Sequence, residues 1–161
     1  MAATAMSETQ ERRLLRLTVA HYRKEDCAEE DLYRWATEVY VPQAVKIHTK
    51  YGLEGYVIHN SPASFRGAAK AFNAARGDRW LVRDHDFQVE FYFRDPAVLA
   101  RISADPEFQA LQKTEAPYVS GIHVEASLGW IETYIQDGKV VNLSDDGKPC
   151  YLSWATMSAV S

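Results

Sequence analysis

A chain of 161 residues, 47% apolar and 25% charged, has the size and balance of one globular domain with a core of its own. Its formal charge of −4, from 22 acidic and 18 basic residues, excludes nucleic acid as a partner, because phosphate contacts demand a basic surface. No apolar run approaches the ~20 residues of a membrane span, and residues 1–12 lack the apolar stretch of a signal peptide; a cytoplasmic protein with a disordered N-terminal lead is expected.

Residues 14–23 alternate as a half-buried strand, with Leu15, Leu17, Val19 and His21 on one face and Arg16, Thr18, Ala20 and Tyr22 on the other. Asp26 and Glu29 have the spacing of a capping box, and an apolar stripe of Leu32, Trp35, Ala36 and Val39 follows at helical period. Pro42 has no N–H to donate, so the helix is expected to kink or restart there. Ala44, Ile47, His48 and Tyr51 then carry it to a stop at Gly52. A second strand fits residues 55–60. Ser61-Pro62 reads as a cap and first-turn proline opening a short helix through Phe65 and Phe72.

The clearest strand is 86–93, with Phe87, Val89, Phe91 and Phe93 on one face and Gln88, Glu90 and Tyr92 on the other. Asp95-Pro96 and Asp105-Pro106 each start a helix, the second running to about residue 116. A last long strand covers about 122–135, with Gly129 as the expected bulge. Asp137-Gly138 and Asp146-Gly147 are turn signals, giving a hairpin around residues 140–143 and then an exposed end.

Strand–helix–strand, a short helix, and strand–helix–strand again predict a ferredoxin-like α+β domain. It would be a four-stranded antiparallel sheet with helices on one face. The expected division is a lead over 1–12, the domain over 13–135, and a hairpin and tail over 136–161. The open face, with Thr18, Tyr22, Gln88, Glu90, Tyr92, His123 and Glu125, suits packing against a second copy, so a homodimer is expected.

Cys27 and Cys150 stand far apart without ligand spacing, so reduced thiols and no metal site are expected. The five histidines carry the chemical interest. His21 ends the first strand on the helix-covered face; the structural alternative is a buried imidazole bonded to backbone. His48 shares a helix face with Tyr40, and surface placement is its alternative. His59 closes the second strand, where a pocket can open, or else it is a solvated turn residue. His85, between Asp84 and Asp86, has the parity of Phe87 and Phe91 and is expected on the apolar face. The many rings, among them Trp35, Phe65, Phe72, Phe87 and Phe91, are core residues or the walls of a pocket for a flat hydrophobic ligand. No phosphate loop, flavin or nicotinamide fingerprint, or nucleophile elbow is present. Proton transfer by His and Tyr in an apolar pocket, without a cofactor, is the chemistry that remains.

The stretches His21-Tyr22-Arg23-Lys24 and Trp35-Ala36-Thr37-Glu38-Val39-Tyr40-Val41-Pro42 resemble the opening of EthD-domain proteins. So do Asp84-His85-Asp86-Phe87-Gln88-Val89-Glu90-Phe91 and Asp105-Pro106-Glu107-Phe108. Ala126-Ser127-Leu128-Gly129-Trp130 and Asp137-Gly138-Lys139-Val140-Val141-Asn142 look like that family's fungal branch. The resemblance implies a dimeric αβ-barrel enzyme of fungal aromatic polyketide biosynthesis. It implies a lyase that decarboxylates an anthrone-type carboxylic acid or dehydrates a cyclic hemiketal, with no cofactor. Where the family has a histidine before an alanine-proline pair, this chain has Tyr40 before Val41-Pro42. His21, His59 and Asp86 match in place. The expected catalytic groups are His59, His85, His48 and Tyr40. The expected substrate contacts are His21, Tyr22, Trp35, Phe65, Asp86, Phe87 and Phe91. A cofactor-free monooxygenase or cyclase, and a non-catalytic binder of hydrophobic polyketides, are the competing readings.

Overall fold

The computed structural model describes residues 13–159, so the expected N-terminal lead lies outside the described residues. Four strands form one antiparallel sheet: β1 (Leu15–Arg23), β2 (Gly55–Asn60), β3 (Phe87–Phe93) and β4 (Val119–Trp130), in the spatial order β2-β3-β1-β4. This is the ferredoxin-like arrangement. The alternation in β1 and β3 fixes their register: Leu17 pairs with Phe91, Val19 with Val89 and His21 with Phe87, so both apolar rows face the helices.

Between β1 and β2 runs one long helical stretch: α1 (Glu29–Arg34), a π-helical turn (Trp35–Tyr40) and α2 (Val41–Lys50). The helices between β3 and β4 are α4 (Ala97–Ala104) and α5 (Pro106–Gln112), closed by a 3₁₀ turn (Lys113–Glu115). Inserted between β2 and β3 is α3 (Ala63–Ala75). Two apolar clusters fill the space under the helices. One centres on Leu15, Ile47, Phe93, Ile102 and Phe108, the other on Leu32, Trp35, Phe87, Val89 and Val119. Tyr40 and Phe91 pack against both.

Several local expectations need correction. Glu29 does not close a capping box with Asp26: α1 begins after Ala28 with no side-chain cap. The Glu29 carboxylate instead accepts from Ala63 N–H at 2.9 Å and Arg66 Nη2 at 2.8 Å, tying α1 to α3. Ser61 likewise caps nothing, since α3 starts after Pro62 without a side-chain bond. Asp105 does cap α5, accepting from Glu107 N–H at 2.7 Å and Phe108 N–H at 3.3 Å. The irregularity in the β1–β4 ladder falls between His21 and Arg23, and Gly129 pairs in register with Arg16. That shift lets β4 start at Val119, three residues earlier than alternation alone suggests.

The C-terminal hairpin is β5 (Ile135–Gln136) and β6 (Lys139–Val140), earlier than expected. Asp137 and Gly138 both take positive φ, 50° and 74°, which is the geometry of a two-residue hairpin turn. The end of the chain is not free. A short helix, α6 (Trp154–Met157), buries Met157, and Arg13 Nη1 donates to the carbonyls of Met157 (2.8 Å) and Ala159 (2.6 Å).

Candidate active site

The helix distorts where its sequence cannot sustain an α-helical ladder. Pro42 offers no N–H, and the Val41 N–H bonds to the carbonyl of Ala36, five residues back. An i→i+5 turn is wider than an α-turn, so residues five apart come close to one face. Trp35 and Tyr40 therefore lie side by side, ring centroids 5.1 Å apart, both directed at the sheet.

Under them is a cavity of about 230 Å³, at the junction of the two core clusters. Its floor is the apolar sheet face: Leu17, Val19, Ile58, Val89 and Phe91. Leu99, Ile102 and Phe108 wall one side, Ala36 and Phe87 the other. Into this apolar space project His21, Tyr40, Tyr56 and Glu115. Burial holds the His21 imidazole neutral, its pKa lowered to about 4. The ring stacks on Phe87 with centroids 5.0 Å apart, and its buried Nδ1 has no partner among the described residues. Burial also raises both phenols, Tyr40 and Tyr56, far above the usual tyrosine value, with the Glu115 charge adding to each. The Glu115 carboxyl is raised by burial, and the hydrogen bond from Tyr40 partly offsets that rise.

Among the residues expected at a site, His21, Trp35, Tyr40, Phe87 and Phe91 meet at this cavity. His48 lies beneath it: 2% exposed, its ring packs on Tyr56, Phe91 and Phe108, and neither ring nitrogen has a partner among the described residues. His59 and His85 sit on the opposite, open face of the sheet. His59 pairs with Gln88 and is exposed, and the His85 ring meets Tyr22 edge-on at 6.5 Å. The expectation that His85 shares the apolar face is corrected, because β3 begins only at Phe87 and strand parity does not reach back to residue 85. Burial, then the neighbouring His59, lower the His85 pKa. Tyr22 belongs to the same open face, its hydroxyl donating to Glu125 at 2.8 Å.

Asp86 is engaged by two guanidinium groups, Arg23 Nε at 3.2 Å and Arg66 Nη1 at 3.1 Å. It borders a second hollow, of about 280 Å³, which touches the first through Ala36 and Phe87. Phe65 is 71% exposed on α3 and lines neither. Sequence reasoning passed over two cavity groups. Tyr56 was detectable from the alternation Tyr56-Ile58 in β2. Glu115 lies in a stretch read only as the end of a helix, and nothing local marks it. Among the described residues no group of three or more His, Cys, Asp or Glu could hold a metal ion. No described helix is long and apolar enough to cross a membrane.

Comparison with known proteins adds the chemical context. The family profile described as "EthD domain" matches residues 24–122. A protein of Aspergillus terreus called "Putative oxygenase" is 46% identical over 136 residues, covering 84% of each chain. "Dehydratase iacD" of Pestalotiopsis fici is 26% identical over 133 residues, covering 83% of this chain and 96% of that protein. "Decarboxylase nsrE" of Aspergillus novofumigatus is 27% identical over 139 residues, covering 85% and 90%. Among solved structures, an ethyl tert-butyl ether d (ethd) family protein of Bacillus halodurans superposes with a TM-score of 0.48 at 14% identity, over 72% of this chain and 96% of that one.

Proposed function

The chain belongs to the EthD domain family, and from that premise we propose that it is a cofactor-independent lyase of aromatic polyketide metabolism. It removes carbon dioxide from an anthrone-type carboxylic acid, or water from a cyclic hemiketal. The observation that carries this reading is one apolar cavity under the helices holding a neutral imidazole, two phenols and a carboxyl group. Flat aromatic ligands match walls of Phe, Val and Leu, and the polar groups are those of proton transfer. Both reactions need a proton moved next to a carbonyl. His21, neutral and without a partner at Nδ1, is suited to accept one. Tyr40 and Tyr56, whose raised pKa values keep them as O–H donors, are suited to hold a carbonyl oxygen. The names of two relatives, a dehydratase and a decarboxylase, support the reaction class.

The reading includes a homodimer closed through the open sheet face. That face carries charges of both signs, Arg16 beside Glu90 and Arg83 beside Glu125, and such a mixture can pair with itself across a two-fold axis.

A second reading, an oxygenase on the same ligand class, is supported by the name of the 46%-identical relative. Product mass separates the two. The purified protein is incubated with an anthrone carboxylic acid and, separately, with a cyclic hemiketal. Loss of carbon dioxide or of water supports the lyase, and gain of oxygen supports the oxygenase. An unchanged ligand in both incubations would overturn both enzyme readings.

A further inference from the structure

We propose that Glu115 is the general acid of this cavity, giving its proton to the ring carbon that loses carbon dioxide or to the hydroxyl that leaves as water. The assignment rests on reading the cavity as a lyase site and adds the group that drives the step.

Glu115 is the one carboxyl among the residues lining the cavity, and none of those residues is a lysine or arginine. Among the described residues it forms no ion pair; its side-chain partner is the Tyr40 hydroxyl. Glu115 is half-buried against the cavity with no cation beside it, whereas the buried Asp105 is paired with Lys50 at 2.8 Å. Its position is fixed by backbone rather than by charge. The Glu115 carbonyl accepts the Tyr118 N–H at 2.9 Å, and the Tyr118 ring stacks on Trp35 at 4.9 Å, so the 3₁₀ turn is keyed to the cavity wall. The titratable groups that line the cavity with it are Tyr40 from the helix, Tyr56 from β2 and His21 from β1. All three are neutral near pH 7, which leaves burial to favour the protonated acid.

In a decarboxylation the Glu115 O–H bond breaks and its proton makes the new C–H bond at the carbon bearing the carboxylate. The C–C bond to that carboxylate then breaks, its electron pair restores the ring π system, and carbon dioxide leaves. Water reprotonates Glu115, so one substrate carboxylate and one proton become one C–H product and carbon dioxide. In a dehydration the same proton goes to the hydroxyl, and the C–O bond breaks with its pair on the departing water. His21 takes the adjacent C–H proton, whose pair becomes the C=C bond, and solvent carries that proton back to Glu115.

The test combines Glu115→Gln with infrared difference spectroscopy of the wild-type carboxyl. Gln keeps the size and the bond to Tyr40 but has no proton to give. Expected are a fall in kcat of about 100-fold or more with KM nearly unchanged, and loss of the alkaline limb of the wild-type pH–rate profile. The spectrum should show a carboxyl that titrates above the ordinary glutamate range and is missing in Glu115→Gln. Should Glu115→Gln not fold, Glu115→Asp takes its place, with partial activity expected from a shortened acid. Wild-type kcat in Glu115→Gln, or a Glu115 that titrates within or below the ordinary glutamate range, overturns the assignment. If neither ligand is turned over but the raised carboxyl is present, the substrate class falls while the cavity acid stands.

Discussion

Trp35 and Tyr40 stand five residues apart on one helix, yet their ring centroids are 5.1 Å apart. In a regular α-helix of 3.6 residues per turn they would point about 140° apart. The i→i+5 bond from Val41 to Ala36 brings them together, and with them the phenol that meets Glu115. The Tyr40 phenol is therefore a hydrogen-bond donor to a carboxyl rather than a base.

Tyr40→Phe removes the bond that favours ionised Glu115. The Glu115 carboxyl should then rise further, because burial acts on it without that offset. The alkaline limb of the pH–rate profile should move to higher pH with it. An unmoved limb would separate the two residues.

His48 predicts a particular acid sensitivity. Its folded pKa is lowered to about 4, against ~6.5 in an unfolded chain. Between those values the unfolded state binds the extra proton, so stability is full above ~6.5 and drains away as the pH falls toward 4. His48→Leu should flatten the thermal-melting curve across that window, a change of about 1–3 kcal/mol at the acid end. Turnover should survive, because Tyr56, Phe91 and Phe108 stand between this ring and the cavity.

Asp105 has the opposite sign. Lys50 Nζ at 2.8 Å, the Tyr51 hydroxyl at 2.7 Å and two backbone N–H groups hold its carboxyl well below the ordinary carboxylate range. The stability it contributes is present above the unfolded pKa of ~3.9 and is lost as the pH falls below it. Asp105→Asn should lower the melting temperature at pH 7 and narrow the gap to the wild type near pH 2. Circular dichroism melts at the two pH values check both halves.

His59→Ala and His85→Ala should each leave kcat/KM within about fivefold of wild type, a barrier change under ~1 kcal/mol. Both side chains lie across the sheet from the cavity. A larger loss in either would mean that the open face takes part in the reaction, and steady-state rates on the purified variants decide it.

The strand faces and the strand–helix order were legible in the sequence because both repeat along the chain. Alternation in β1 and β3 is dictated by the two-residue repeat of a strand with one buried face, so Leu17, Val19, His21, Val89 and Phe91 could be assigned to the helix side from residue order alone. The Asp105 cap was equally readable, because side chain and N–H are neighbours in the chain. Parity failed at His85, where no ladder constrains the backbone, and the capping box failed because Arg66 and Ala63 hold the Glu29 carboxylate. The sequence alone thus determined the sheet, its faces and the presence of His21 and Tyr40 beneath the helices. The tertiary fold alone decided that Tyr56 and Glu115 join them and that His59 and His85 do not. A cavity gathers groups by distance in space, and a carboxyl 75 residues from its phenol leaves no local trace of the meeting.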